Sequence, residues 1–131
     1  MIFGKKPMVR VVTDVSILDL VRAILAEHDL EARQLTLDLS DLTQRFSTVA
    51  KPDTQNHEEL VLAAALVELF AARRNEVAPD WTAQIGGLDK PRYLLGDPTR
   101  YPRFYARCVR ESPEPLKRRN LIAPNDYLSF A

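Results

Sequence analysis

Leu60-Val61-Leu62-Ala63-Ala64-Ala65-Leu66-Val67-Glu68-Leu69-Phe70-Ala71-Ala72 is the stretch whose reading decides the fold. Apart from Glu68 it is apolar on every side, and a helix of that kind belongs at the centre of a bundle. It is also too short for a bilayer, which takes about 20 apolar residues. Glu58 and Glu59 stand where a helix N-terminus attracts negative charge, and Arg73 and Arg74 where its C-terminus attracts positive charge. Lys51-Pro52-Asp53-Thr54 ends whatever precedes and offers Asp53 or Thr54 as the N-cap. The stretch therefore predicts a central helix over 57–75, with Leu66 and Phe70 in the core and alanines that let neighbours approach closely.

Upstream, Ile17, Leu18, Val21, Ile24 and Leu25 recur at helical spacing behind Thr13 or Asp14 as cap, which predicts a helix over about 14–28. His28, Asp29 and the polar residues to Arg33 read as its exit. Leu35, Leu39, Leu42, Phe46 and Val49 then follow at intervals of 4, 3, 4 and 3, a single stripe on a second helix. The stripe packs within the domain or, as a second reading, forms a homodimer seam through Leu35, Leu39, Leu42 and Phe46. Met8, Val9, Val11 and Val12 suit a short N-terminal strand.

Downstream, Pro79, Gly86, Gly87, Pro91, Gly96 and Pro98 divide residues 75–98 into short pieces. Asp80 caps a short helix over about 80–85 that starts with Trp81, which covers one end of the central helix. Asp97-Pro98 opens a helix running to about 111. Tyr101, Phe104, Tyr105, Cys108 and Val109 form its inward face, and Arg100, Arg103, Arg107 and Arg110 a second, outward stripe. Ser112-Pro113 restarts a short helix with Ser112 as cap, and Lys117, Arg118 and Arg119 cluster at its end. Pro124-Asn125-Asp126 begins a last turn.

The expected fold class is all-α, a compact helical bundle of four to six helices around a central apolar helix. With 131 residues and 46% hydrophobic side chains, the chain is long enough for one domain to bury a core without disulfides or metal. Within it we distinguish an N-terminal arm (1–13), a three-helix acidic part (14–75) and a Pro-rich basic helical part (76–131). Eighteen cations balance eighteen anions. Residues 14–80 nevertheless carry 13 acidic and 6 basic side chains, net −7, and residues 81–131 carry 9 basic and 5 acidic, net +4. Such asymmetry steers an acidic partner to the C-terminal part or one copy to another. One cysteine and a first segment with no apolar run behind Lys5 and Lys6 fit a cytoplasmic protein with no membrane contact.

Most motifs that carry chemistry fail on inspection. His57-Glu58-Glu59-Leu60-Val61 begins like a zinc-protease helix, but Val61 stands where the second histidine is required. Gly86-Gly87 lacks the spacing of a phosphate or dinucleotide loop. Asp38 and Asp41 fall on the polar face of their helix, where paired carboxylates stay solvated rather than separating their pKa values. Cys108 falls on an apolar face, where a thiol is buried and inert. The chain is therefore expected to have no catalytic residues, no metal and no cofactor; an enzyme assembled from scattered Asp, Tyr and Arg residues is the reading this displaces.

What remains is the basic set Arg100, Arg103, Arg107, Arg110, Lys117, Arg118 and Arg119. Forked guanidinium groups suit carboxylates and phosphates alike. The set either serves solubility and internal pairing, binds an acidic protein partner, or holds a nucleic-acid backbone with nearby aromatics stacking on bases.

Ala78-Pro79-Asp80-Trp81, followed by Glu111-Ser112-Pro113-Glu114-Pro115-Leu116-Lys117-Arg118-Arg119-Asn120-Leu121-Ile122, resembles an uncharacterised bacterial all-helical domain in which a Pro-x-Trp step and a Ser-Pro-x-x-Leu-basic-basic segment recur in that order. The similarity spans residues 58–131. Domains of that kind follow a helix-turn-helix in regulators or are encoded beside nucleotidyltransferase-like toxins, so the resemblance implies a regulatory or antitoxin-linked role. The first 50 residues read as two long helices rather than a compact helix-turn-helix, which argues against direct operator reading. The expectation is thus a noncatalytic interaction protein that holds an acidic partner on its C-terminal arginine face, with nucleic-acid binding as the alternative.

Overall fold

The structure, a computed structural model, describes residues 16–129, so the expected strand over 8–12, the 1–13 arm and the caps Thr13 and Asp14 lie outside the described residues. Among the described residues it is mostly helical, with six α-helices, one 3-10 turn and two very short strands. In chain order these are α1 (Ile17–Leu25), α2 (Asp29–Leu42), the 3-10 turn (Phe46–Thr48), α3 (His57–Arg73), α4 (Asp80–Ala83), β1 (Arg92–Tyr93), α5 (Pro102–Glu111), α6 (Glu114–Lys117) and β2 (Leu121–Ile122).

The decisive stretch forms α3 as expected, and every residue from Val61 to Val67 is buried. Its N-cap is Asn56, whose side chain accepts from the Glu59 amide at 3.0 Å; Thr54 instead donates its hydroxyl to the Glu59 carboxylate at 2.6 Å. Helix α3 packs against α1, α4, α6 and the 3-10 turn. Residues from Ile17 through Leu128 contribute to one buried cluster, so the acidic and basic parts of the chain share a core.

Helix α1 begins behind Ser16, which forms a reciprocal capping box with Asp19. The segment from Asp29 to Arg33, expected as an exit, is instead the first turn of α2. Glu27 adopts a left-handed conformation (φ 61°), and the His28 amide returns to the Ala23 carbonyl at 2.9 Å, so the chain reverses within Ala26, Glu27 and His28.

The expected second helix is corrected at its other end as well. It stops at Leu42 although its apolar stripe continues to Val49. The cause is tertiary. Arg74, just past α3, donates to the carbonyls of Ser40, Thr43 and Gln44 at 3.3, 3.0 and 2.8 Å, satisfying acceptors a longer helix would have used internally. Glu76, paired with Arg74 at 3.0 Å, accepts the Phe46 amide at 2.8 Å. Phe46 is thereby turned into the core, 5.7 Å from the Phe70 ring and beneath the Arg74 guanidinium. Leu39 and Phe46 are buried within the chain while Leu42 is exposed, so the four residues of the expected homodimer seam, Leu35, Leu39, Leu42 and Phe46, do not form one continuous outward stripe.

The C-terminal part departs further from expectation. Asp80 is the first residue of α4 rather than its cap. Trp81 packs against the core with its indole N–H on the Val49 carbonyl at 2.8 Å. Helix α5 starts at Pro102, not at Pro98, because a proline at 102 lacks the amide an ongoing helix needs and pushes Tyr101 out of the helical region (φ −134°, ψ 78°). Ser112 does not cap α6. Its hydroxyl bonds the Cys108 carbonyl at 2.6 Å, the Ala123 carbonyl and the Ala123 amide, tying the end of α5 to the segment after β2. The strands pair in parallel, Arg92 opposite Leu121 and Tyr93 opposite Ile122.

Candidate interaction surface

Pairing inside the molecule divides the basic set. Arg119 is 2% exposed, and all of its donors are engaged: Nη1 and Nη2 grip the Glu68 carboxylate at 2.8 and 3.0 Å, while the Ile85, Pro115 and Thr82 carbonyls take the rest. Burial raises the pKa of Glu68, and hydrogen bonding from Arg119 with the charges of Arg119 and Arg118 more than reverses this, leaving it below its ordinary value. Arg118 donates to the same carboxylate. Arg119 is therefore removed from the expected binding surface, and Arg118 has its guanidinium committed to Glu68.

The four arginines around α5 are disposed differently. Arg100, Arg103, Arg107 and Arg110 are all exposed. Arg103 has no hydrogen-bonded or charged partner among the described residues. Arg107 holds Glu111 one turn on at 3.2 Å, with both side chains about half exposed; pairs of this kind contribute little. Among the described residues Arg110 donates to the Ala106 carbonyl at 3.5 Å, and Arg100 stands 6.0 Å from the Tyr101 ring centroid. Lys117 is exposed with its ammonium on the Arg110 carbonyl at 3.1 Å. At the entry to α5, Asp97 accepts from the Thr99 hydroxyl and amide, and those bonds hold its carboxyl below the usual range.

The apolar side of α5 is not the inward face the spacing suggests. Cys108 is buried, and Tyr105 packs edge-on against Tyr93 with centroids 5.0 Å apart. Tyr101, however, is 66% exposed, and Phe104 and Val109 are exposed as well. Once Pro102 delays the helix, Tyr101 lies outside it, and Phe104 keeps 37% of its surface open. Arginines and aromatics therefore share one open surface. Burial pushes the Cys108 thiol up, and burial and the neighbouring thiol push Tyr93 up.

The cleft between α1, the end of α2 and the 48–53 loop encloses about 610 Å³ among Ile17, Leu39, Leu42, Val49 and Pro52, with Lys51 and Asp53 its charged side chains. His28 is exposed with Nδ1 3.3 Å from Glu31, and Asp38 accepts from Gln34 at 3.0 Å on the outer side of α2. Among the described residues no three His, Cys, Asp or Glu side chains gather as metal ligands, and no helix is long and apolar enough to cross a membrane.

The chain matches no protein-family model, and neither a curated protein nor a solved structure shows significant similarity to it.

Proposed function

We propose that this is a noncatalytic cytoplasmic interaction protein, an antitoxin-like component or accessory regulator, whose helical bundle presents α5 to an acidic protein partner. One observation carries the reading. Arg100, Arg103, Arg107 and Arg110 remain exposed beside Tyr101 and Phe104, Arg107 in a surface pair with Glu111, while Glu68 engages Arg118 and the buried Arg119. Arginine and tyrosine are the side chains most often decisive at protein interfaces, because each buries area and keeps directed donors. Guanidinium forks suit carboxylates in pairs. The regulatory or antitoxin-linked role rests on the resemblance of residues 58–131.

The exposure of Tyr101 beside Arg100 also supports a second reading, a base stacked on the ring with its backbone on the arginines. Affinity capture from native cell extract, with the wild-type chain and an Arg103→Glu/Arg107→Glu variant, decides between them. The first reading expects an acidic protein retained by the wild type and lost by the variant. Capture of the same proteins by both chains removes α5 from the account. Nucleic acid bound at low salt, with a log–log salt slope that shrinks by about one per arginine removed, would favour the second.

A further inference from the structure

Helix α2 carries the complement of α5 on its outer side. Ala32, Thr36 and Leu39 face the core, so Leu30, Gln34, Leu37 and Asp41 line the opposite, solvent side at helical spacing, with half-buried Asp38 at its edge. Leu30 is 82% exposed, and Leu37 is exposed one helical repeat further on. Residues 29–42 hold Asp29, Glu31, Asp38 and Asp41 against Arg33, four minus one, net −3. Residues 100–111 hold four arginines against Glu111, net +3. Both segments also expose apolar side chains, leucines on α2 and Tyr101, Phe104 and Val109 on α5. At 1.5 Å per residue, the stripe from Leu30 to Asp41 and the length of α5 are each about 15 Å.

From this complementarity we infer that a second copy of this chain occupies the α5 surface, laying its α2 stripe against the arginines. The inference rests on the reading of α5 as a docking surface for an acidic protein surface and identifies that surface as the α2 face of a second copy. Asp38 and Asp41, one turn apart, meet the forks of Arg103 and Arg107, with Leu37 beside Phe104. A neighbour that supplies both an apolar ring and a cation would cover an exposed leucine and pair the carboxylates beside it. A contact of one helix on one helix is small, so association is weak, salt-sensitive and dependent on concentration.

Sedimentation velocity over a concentration series tests this with four samples: wild type, Arg103→Glu/Arg107→Glu, Asp38→Lys/Asp41→Lys, and an equimolar mixture of the two variants. Wild type should associate at about 50 mM salt and dissociate at about 500 mM. Each variant alone should stay monomeric, and the mixture should associate again, because it restores one native pairing and creates one reversed pairing. Recovery in the mixture also shows that both variants are folded. A wild type that stays monomeric at the highest concentration it tolerates overturns the inference, as does an Asp38→Lys/Asp41→Lys variant that associates like wild type. If wild type is monomeric but Arg103→Glu/Arg107→Glu still loses a captured acidic protein, the second-copy inference falls and the α5 reading stands; if that variant changes neither property, both fall.

Discussion

Arg119 lies inside the protein with its two terminal nitrogens 2.8 and 3.0 Å from the two carboxylate oxygens of Glu68, fifty-one positions earlier in the chain. The pair joins the segment after α6 to α3, and the remaining guanidinium hydrogens extend the junction to α4 through the Thr82 carbonyl. Truncating the cation leaves the Glu68 carboxylate, in a site with little water, with Arg118 as its remaining cation. Arg119→Met is therefore expected to cost about 3–5 kcal/mol in chemical denaturation, far more than any exposed α5 arginine. A loss below about 1 kcal/mol would show that the pair is not a structural junction.

The same carboxylate gives the protein an acid limit. Because the folded protein holds Glu68 below its ordinary value of 4.5, its ionised form binds fewer protons than the unfolded chain does near that pH. The contribution is complete above the ordinary value and is lost as pH falls through the folded one. Melting temperatures measured from about pH 7 to about pH 3 should fall more steeply in wild type than in Glu68→Gln, with the gap between them narrowing in acid. Parallel curves would assign the acid sensitivity to other groups.

Two adjacent glycines should respond in opposite ways. A Cβ on Gly87 would lie 2.6 Å from the Arg119 Cα and 2.9 Å from its carbonyl carbon, backbone that is held in place by the Leu88 amide bonded to the Arg119 carbonyl at 3.0 Å. A Cβ on Gly86 meets nothing within 4 Å. Gly87→Ala should destabilise by about 1–3 kcal/mol, as overpacking does. Gly86→Ala should stay within about 1 kcal/mol of wild type or stabilise slightly by restricting the unfolded chain. Equal effects in a thermal melt would contradict the close approach at Gly87.

Ala64, fully enclosed on α3, tests the centre of the fold. Ala64→Leu adds three carbons where neighbouring helices already meet, with an expected cost of about 1–3 kcal/mol. An unchanged melting temperature would mean that α3 has room beside it and is not the packed centre.

Much of this fold was legible because α3 announces itself: an apolar run on all sides with charges at each end has few other places to go. Local signals also located α1 and the short helices. The end of α2 was not legible, since the groups that stop it, Arg74 and Glu76, come from more than thirty residues away, while the leucine stripe runs on through Phe46 and Val49. The pairing of β1 with β2 involves two residues a side, too few for any period to register. At the candidate surface, Lys117-Arg118-Arg119 read as one exposed cluster, but its members separate, with Lys117 in solvent, Arg118 on Glu68 and Arg119 inside. A signal for this was present in Glu68, the lone charge within the apolar stretch from Leu60 to Ala72, which needs a cation brought to it. Pro102 likewise signalled that Tyr101 would not join the helix face assigned to it.

The α5 arginines carry the functional reading, and their chemical accessibility tests it most directly. Phenylglyoxal modification, read residue by residue by mass spectrometry, is to be compared for the protein alone and for the protein saturated with its captured acidic partner. Arg100, Arg103, Arg107 and Arg110 should react in the isolated chain and be protected in the complex, with buried Arg119 unreactive in both. Unchanged modification of Arg103 and Arg107 in the saturated complex would contradict the account.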